Sequence, residues 1–297
     1  MTSVWNKLMT VGDGSSKPKE KVKLWRSPGL GETELMHANY VTQSFPRHTH
    51  EGFGVGIIER GALGFYYLGE NVVAPPGAIN IVNPDEVHTG HAATKQGWTY
   101  RMFYFSADLL QNAASEISGK QTQIPFFKTG VIHDNDLAKI IRSLHMSLED
   151  GSTSLLERQS RFLLMLIELI KRHADDPPYL RPAGKEHHAV SCSKDYIKTH
   201  YKENISIDMV AAVVNLSPFH LIRTFHRQVG LTPHAYLIQT RIKKARDLIR
   251  KGWKIIDVAY ETGFSDQSHL SNRFKRIMGF TPGKYSNFVQ DARNCDG

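Results

Sequence analysis

The stretch LSPFHLIRTFHRQVGLTPHAYL, residues 216–237, comes back as FSDQSHLSNRFKRIMGFTPGKYS, residues 264–286. Leu221, Phe225, Gly230, Thr232, Pro233 and Tyr236 recur as Leu270, Phe274, Gly279, Thr281, Pro282 and Tyr285, all at a shift of 49. Upstream, Ile207, Val210 and Ala211 recur as Ile255, Val258 and Ala259 at a shift of 48, so the second copy carries one extra residue in between. Identities held in register over such a span mark two copies of one small module, and any fold for this chain must accommodate both.

Each copy reads as two helices around a tight turn. In the first, Ile205 to Ala212 is a short helix, Asn215 and Leu216 form the turn, and Ser217 caps a second helix ending near Gly230. Leu221 and Phe225 lie four apart and face one core. In the second, Ile255 to Thr262 is helical, Gly263 turns, and Ser265 to Met278 follows, with Leu270 and Phe274 inward. Pro233, tolerated in a first helical turn, opens a long helix through AYLIQTRIKKARDLIRKG that joins the copies. Roughly 18 residues at 1.5 Å rise span about 27 Å. Two second helices held about one turn of B-DNA apart, roughly 34 Å, can enter successive major grooves on one face of the duplex.

Charge points the same way. Residues 187–297 hold 17 Lys and Arg against 9 Asp and Glu, while residues 1–186 hold 20 of each, so the whole net charge of +8 belongs to the segment with the repeat. A basic third beside a neutral remainder suits one domain that meets a polyanion and another that does not.

The remainder reads as a different kind of domain. Residues 1–22 are polar around GDGSSKPKEK and form a loose arm. LMHANYV, FGVGIIE, ALGFYYLG, AINIVN and WTYRMFYF are short strand patterns separated by Gly, Pro and Asn, the signature of a small sandwich or barrel. Two helices follow: Asp134 to Leu148, with Asp134 as N-cap, and Leu155 to Arg172, apolar on more than one face. One face of that second helix suits the barrel. The other, with Leu163, Met165 and Ile170, suits a partner helix and hence a homodimer. DDPPYLRPAGKEHH, residues 175–188, is the linker. The expected division is an arm over 1–22, a barrel domain over 23–174, the linker, and a DNA-binding domain over 189–291.

Residues 190–290 resemble the DNA-binding domain of AraC/XylS-type transcription regulators, above all in GFSDQSHLSNRFKRIMGFTPGKYS, which is close to that family's signature. The resemblance implies base contacts from the start of each second helix: Phe219, Ile222 and Arg223 in the first copy, Gln267, Ser268 and Asn272 in the second. Their chemistry fits. Arg pairs bidentately with guanine, Gln and Asn pair with adenine, and Phe touches a thymine methyl. Ile222 departs from the polar side chain often found at its position, which implies a first copy that reads less by hydrogen bonds. Arg227, Arg273, Lys275 and Arg276 suit phosphates.

FPRHTHEGFGVGIIERGALGFYYLGENVVAPPGAINIVNPDEVHTG resembles a cupin, the barrel that many such regulators use as an effector domain. Against the metal-binding cupin pattern, His48, His50, Gly61, Gly69, Pro75 and Gly77 match, but Gly54 stands where a ligand Glu belongs and Asn80 where a ligand His belongs. Two of four ligands are missing; three imidazoles, His48, His50 and His88, would suit Zn²⁺ or Fe²⁺ as a substitute site, but no metal and no other cofactor is expected. His48, His50 and His88, with Glu86 and Tyr67, are instead expected to give polar contacts to a small-molecule effector in an apolar pocket.

The chain is therefore expected to be α+β: an N-terminal cupin-like barrel with trailing helices, then an all-α domain of two helix-turn-helix units. It reads as a DNA-binding transcription regulator and not an enzyme. Its expected partners are double-stranded DNA, a small effector and a second copy of itself. Activation is the family's commoner outcome and adds RNA polymerase; the residues themselves leave activator and repressor open. The rival readings are a metal-dependent cupin enzyme fused to a DNA-binding domain, and an architectural DNA-binding protein without effector. FLLMLI, the longest apolar run, falls short of the roughly 20 residues a membrane span needs, and no signal-peptide centre is present, so a cytoplasmic location without membrane contact is expected. Cys192 and Cys295 read as incidental thiols.

Overall fold

The computed structural model describes residues 20–151, 153–177 and 187–287. Most of the expected arm and linker, and Cys295, lie outside the described residues. Ten strands come first: β1 (Lys21–Arg26), β2 (Glu34–Tyr40), β3 (Ser44–His48), β4 (Gly52–Gly61), β5 (Leu63–Tyr67), β6 (Glu70–Ala74), β7 (Ile79–Val82), β8 (His88–Ala92), β9 (Trp98–Ser106) and β10 (Val131–Ile132). Strand β1 begins inside the expected arm, because the Glu20 carboxylate accepts from the backbone N–H groups of Val41, Thr42 and Gln43 and ties this end to the turn after β2.

The strands form two antiparallel sheets, ordered β1-β2-β9-β4-β7-β10 and β3-β8-β5-β6. Period-two alternation decides which side chains face which layer. On β9, Trp98, Tyr100 and Met102 enter the core between the sheets, with Tyr104 packed against it, while Phe103 and Phe105 point the other way. Alternation sets Phe65 and Tyr67 of β5 on one face and Tyr66 on the other; Phe65 and Tyr67 are interior, and Tyr66 stacks outside beneath the Arg47 guanidinium.

Three helices cover the far face of the six-stranded sheet: α1 (Ala107–Ser118), α2 (Asn135–Glu149) and α3 (Leu155–His173). Ser106, Asp134 and Ser154 cap them, each side-chain oxygen accepting a first-turn N–H. Helix α1 was not anticipated from the sequence; its pattern Leu110, Ala113, Ala114, Ile117 leans on alanine. An ion cluster pins α2 to the sheet: Arg101, 8% exposed, meets Glu59 at 3.0 Å and Glu149 at 2.5 Å. His145 donates through Nε2 to the Met102 carbonyl and accepts from Arg101, and burial holds its pKa down to about 3.

The C-terminal part contains α4 (His187–Thr199), α5 (Ile207–Val213), α6 (Pro218–Val229), α7 (Pro233–Arg250), α8 (Ile255–Glu261) and α9 (Gln267–Met278), then a helical stretch over 282–287. Helix α4 also lay outside the sequence reading. The two copies have matching turns: Asn215 and Gly263, 48 apart, take φ of 51° and 79°. The extra residue is Ser265, since the N-caps Ser217 and Asp266 are 49 apart. The last helix thus starts at Gln267, because the Asp266 carboxylate accepts from His269 N–H at 2.7 Å.

One expectation is overturned. Leu163, Met165 and Ile170 were assigned to a dimer interface, but all three are buried within the chain. Helix α3 packs on the sheet through Phe162, 5.9 Å from Phe103 and 6.1 Å from Phe105, and its other face is covered by α5, α6 and α7. A single apolar core runs from Leu35 and Phe53 through α3 to Leu221, Ile222, Phe225 and Leu237. The second copy has its own core of Ile242, Val258, Phe264, Leu270 and Phe274.

Candidate functional site

Reader positions of the two copies stand in opposite environments. On α9, Gln267, Ser268 and Asn272 are exposed, as are Lys275 and Arg276. The Asp266 cap and the αL residue Gly279 fix both ends of this helix, which presents a continuous polar face. On α6, by contrast, Phe219 is buried and Ile222 fully so. That placement corrects the expectation of exposed readers: α1 and α3 of the barrel domain lie on this face. Arg223 donates to the Ile117 carbonyl at 2.5 Å, at the C-terminal end of α1 where carbonyls lack helical partners. The Ser217 hydroxyl, besides capping α6, bonds to the Glu116 carboxylate. Arg227 remains exposed.

Arg273 is also engaged. Its guanidinium donates to both carboxylate oxygens of Glu157 on α3, at 3.0 and 2.8 Å. Glu157 sits buried beside Arg161 at 3.3 Å and His234 at 3.3 Å; burial raises its carboxyl, and the His234 ring with the guanidiniums of Arg273 and Arg161 outweighs that and holds it below the usual range. Burial drives His234 down to about 4, with Arg273, Arg241 and Arg161 adding to the effect of desolvation and Glu157 opposing it. Gln159 completes the seam, donating to Asp208 at 2.9 Å and accepting from Ile207 N–H at 3.0 Å. A cleft of about 520 Å³ opens along the seam, walled by Leu30, Leu109, Phe162, Leu163 and Phe219.

In the barrel, the structure brings His48, His50 and His88 together. Strand β3 pairs with β8 so that His48 faces His88, with ring centres 4.2 Å apart, and His50 lies 4.8 Å from His88. Each Nδ1 meets a backbone carbonyl: Pro46 at 2.8 Å, Gly52 at 2.7 Å and Glu86 at 3.0 Å. A carbonyl only accepts, so each Nδ1 carries the proton, and in the uncharged rings of His50 and His88 Nε2 keeps a lone pair. Burial pushes His88 down to about 4 and lowers His50, which keeps both rings uncharged at neutral pH. Glu86 enters this group through its backbone. Among the described residues no group of three His, Cys, Asp or Glu could hold a metal ion.

Tyr67 does not join them. Its hydroxyl accepts from Asn83 Nδ2 at 2.6 Å and from Asn83 N–H at 3.1 Å, and Asn83 in turn holds the backbone of Phe127. That hydroxyl anchors the 127 loop and is not free for a ligand. Two other groups answer better to a ligand. Asn80 Oδ1 and Trp98 Nε1 are buried without a hydrogen-bond partner. Asn80 alternates with Ile79 and Ile81, which face the helices, so it points between the sheets, where Trp98 also lies. Buried polar atoms of this kind are rare unless water or a ligand satisfies them. The alternation in WTYRMFYF was the signal for Trp98, and Asn80 had been noticed only as a missing histidine.

Comparisons with known proteins give the family. Residues 30–166 match the AraC-like ligand binding domain and residues 210–287 a helix-turn-helix domain. The HTH-type transcriptional regulator YbfI of Bacillus subtilis (strain 168) is 30% identical over 230 residues, 77% of this chain and 82% of that protein. The HTH-type transcriptional activator RhaS of Escherichia coli (strain SE11) is 27% identical over 248 residues, 80% of this chain and 86% of that protein. Among solved structures, the C-terminal domain of AraT, a response regulator from Geobacillus stearothermophilus, is 27% identical over 34% of this chain and 84% of that one, with a TM-score of 0.33. The chain belongs to the AraC family of transcription regulators. It is a DNA-binding regulator that carries a ligand-binding domain, and both of these relatives are transcriptional regulators. No described helix is long and apolar enough to cross a membrane.

Proposed function

We propose that the protein is a sequence-specific activator whose DNA binding is set by a small uncharged effector held between the two sheets. The observation that carries the effector reading is the pair of unpartnered polar atoms, Asn80 Oδ1 and Trp98 Nε1, buried in an aromatic interior. The imidazole lone pairs of His50 and His88 add acceptors for hydroxyl or amide hydrogens. Aromatic walls with uncharged donors and acceptors suit a neutral molecule bearing several hydroxyl or amide groups. Activation is supported by the similarity to the activator RhaS, and it makes RNA polymerase a partner.

On the DNA side, Gln267, Ser268 and Asn272 are the base-reading set of α9, with Lys275 and Arg276 toward phosphates and Arg227 toward phosphate beside α6. The test is to fractionate cell metabolites by charge and add each fraction to the full-length protein. The uncharged fraction is expected to raise the melting temperature and change the affinity for duplexes selected from a random pool. A response confined to the ionic fraction contradicts the proposed effector class, and no response to any fraction contradicts effector control.

A further inference from the structure

The face that α6 would turn to DNA is already occupied. Phe219 and Ile222 lie in the same apolar core as Phe162 and Leu163 of α3. A helix reading the major groove must bring these side chains to base edges, and the groove, about 12 Å wide, admits the helix alone. Helices α1 and α3 therefore stand where the duplex would stand. The polar contacts follow the same logic. Arg223 meets the carbonyl of Ile117 and Ser217 meets the carboxylate of Glu116. Arg273 of α9, expected at a phosphate, is held bidentately by the carboxylate of Glu157. Arg223 and Arg273, both expected at DNA, thus each find an oxygen acceptor on the barrel domain.

Resting on the DNA-binding reading above, we infer that the α1–α3 face is an intramolecular docking surface that imitates DNA toward α6 and Arg273, so that the first module is shut until the two domains part. Duplex DNA and this face compete for one set of side chains. The apparent affinity for DNA is then the intrinsic affinity scaled by the open fraction, and anything that weakens the docking raises it. Strand β9 joins the two sites physically. Its inner face carries Trp98 and Tyr100 between the sheets, its outer face packs Phe103 and Phe105 on Phe162 of α3, and its end, Ser106, caps α1. An effector between the sheets that shifts β9 thus acts on both docking helices.

The full-length chain tests this with two readouts on the same samples: amide hydrogen exchange over residues 218–229 without DNA, and affinity for random-sequence duplex DNA at fixed salt. Glu157→Gln removes the charge that holds Arg273. Glu116→Ala with Gln159→Ala opens the seam without touching that buried cluster, should the first variant fail to fold. The expected result is slow exchange over α6 in the wild type, faster exchange in the variants, and DNA binding at least about fivefold tighter. Faster exchange with unchanged or weaker DNA binding overturns the docking proposal and leaves the regulator reading standing. Fast exchange over α6 in the wild type overturns it as well. Absence of DNA binding in every form, including one whose α6 exchanges freely, rejects the DNA-binding reading itself and the proposal with it.

Discussion

Helices α6 and α9 are one element by sequence. Leu221 and Leu270, and Phe225 and Phe274, are all fully buried, and Gly230 and Gly279 end both helices in the left-handed region with φ of 72° and 83°. They differ on the outward face. Phe219 and Ile222 in the first copy stand where Ser268 and Ser271 stand in the second. Those two apolar side chains merge the first copy with the core of the barrel domain, while the second keeps a separate core and a polar face. A repeat can thus keep its skeleton while its copies differ in surroundings: α6 packs its outward face into the barrel domain, and α9 keeps Gln267, Ser268 and Asn272 exposed.

The largest test of that contrast is in the cores. Phe225→Ala and Phe274→Ala should each cost about 3–5 kcal/mol. Calorimetry should show Phe225→Ala lowering the transition of the whole sensor body, and Phe274→Ala producing an early, separate transition of the second module. Equal effects on a single transition would merge the two copies energetically.

Acid should act next, and on the seam. His234 titrates at about 4 in the folded protein against an ordinary 6.5, so between those values the unfolded chain binds a proton that the folded chain refuses. Stability is therefore complete above pH 6.5 and falls as pH drops toward 4, by on the order of 3 kcal/mol from this group. Glu157, whose carboxyl lies below its ordinary value of 4.5, loses its contribution only below that pH. Denaturant melts of wild type and His234→Asn at a series of pH values check this. A wild-type curve that stays flat between pH 6.5 and 4, or a variant with an unchanged slope, would remove His234 from the account.

Base reading sharpens the contrast at similar or smaller scale. Gln267→Ala or Asn272→Ala should cost about 1–3 kcal/mol at a selected site and relax preference at one base pair, without changing DNA-free stability. Arg223→Ala should both weaken reading and loosen the seam, since Arg223 also holds Ile117. A loss that is equal on random DNA would reassign any of these residues to phosphate contact. Smallest and most even are the caps of the helices that follow each module: Thr232→Ala and Thr281→Ala should each cost about 1 kcal/mol in thermal melts, because both hydroxyls accept a first-turn N–H at 3.2 and 3.3 Å.

Much of this was legible from residue patterns. The repeat located both modules, and strand alternation located the barrel, because periodicity records local backbone geometry directly. Helix α1 escaped because its buried face is built from Ala113 and Ala114 as much as from Leu110 and Ile117. Ile222 departs from a polar norm at a position expected to face DNA, and its burial depends on domain packing far along the chain. The same holds for α3, whose second apolar face was visible while its occupant was not. Tyr67 was placed on the correct face, and only the Asn83 contact shows its hydroxyl to be spent.

The most direct test is selection of bound duplexes from a random pool by the wild-type chain and by Glu157→Gln, at one salt concentration. A motif dominated by one half-site in the wild type, joined in the variant by a second half about one helical turn away, is the expected result. The same motif from both proteins, or no enrichment from either, would contradict a two-module reader whose first module is held by its own sensor domain.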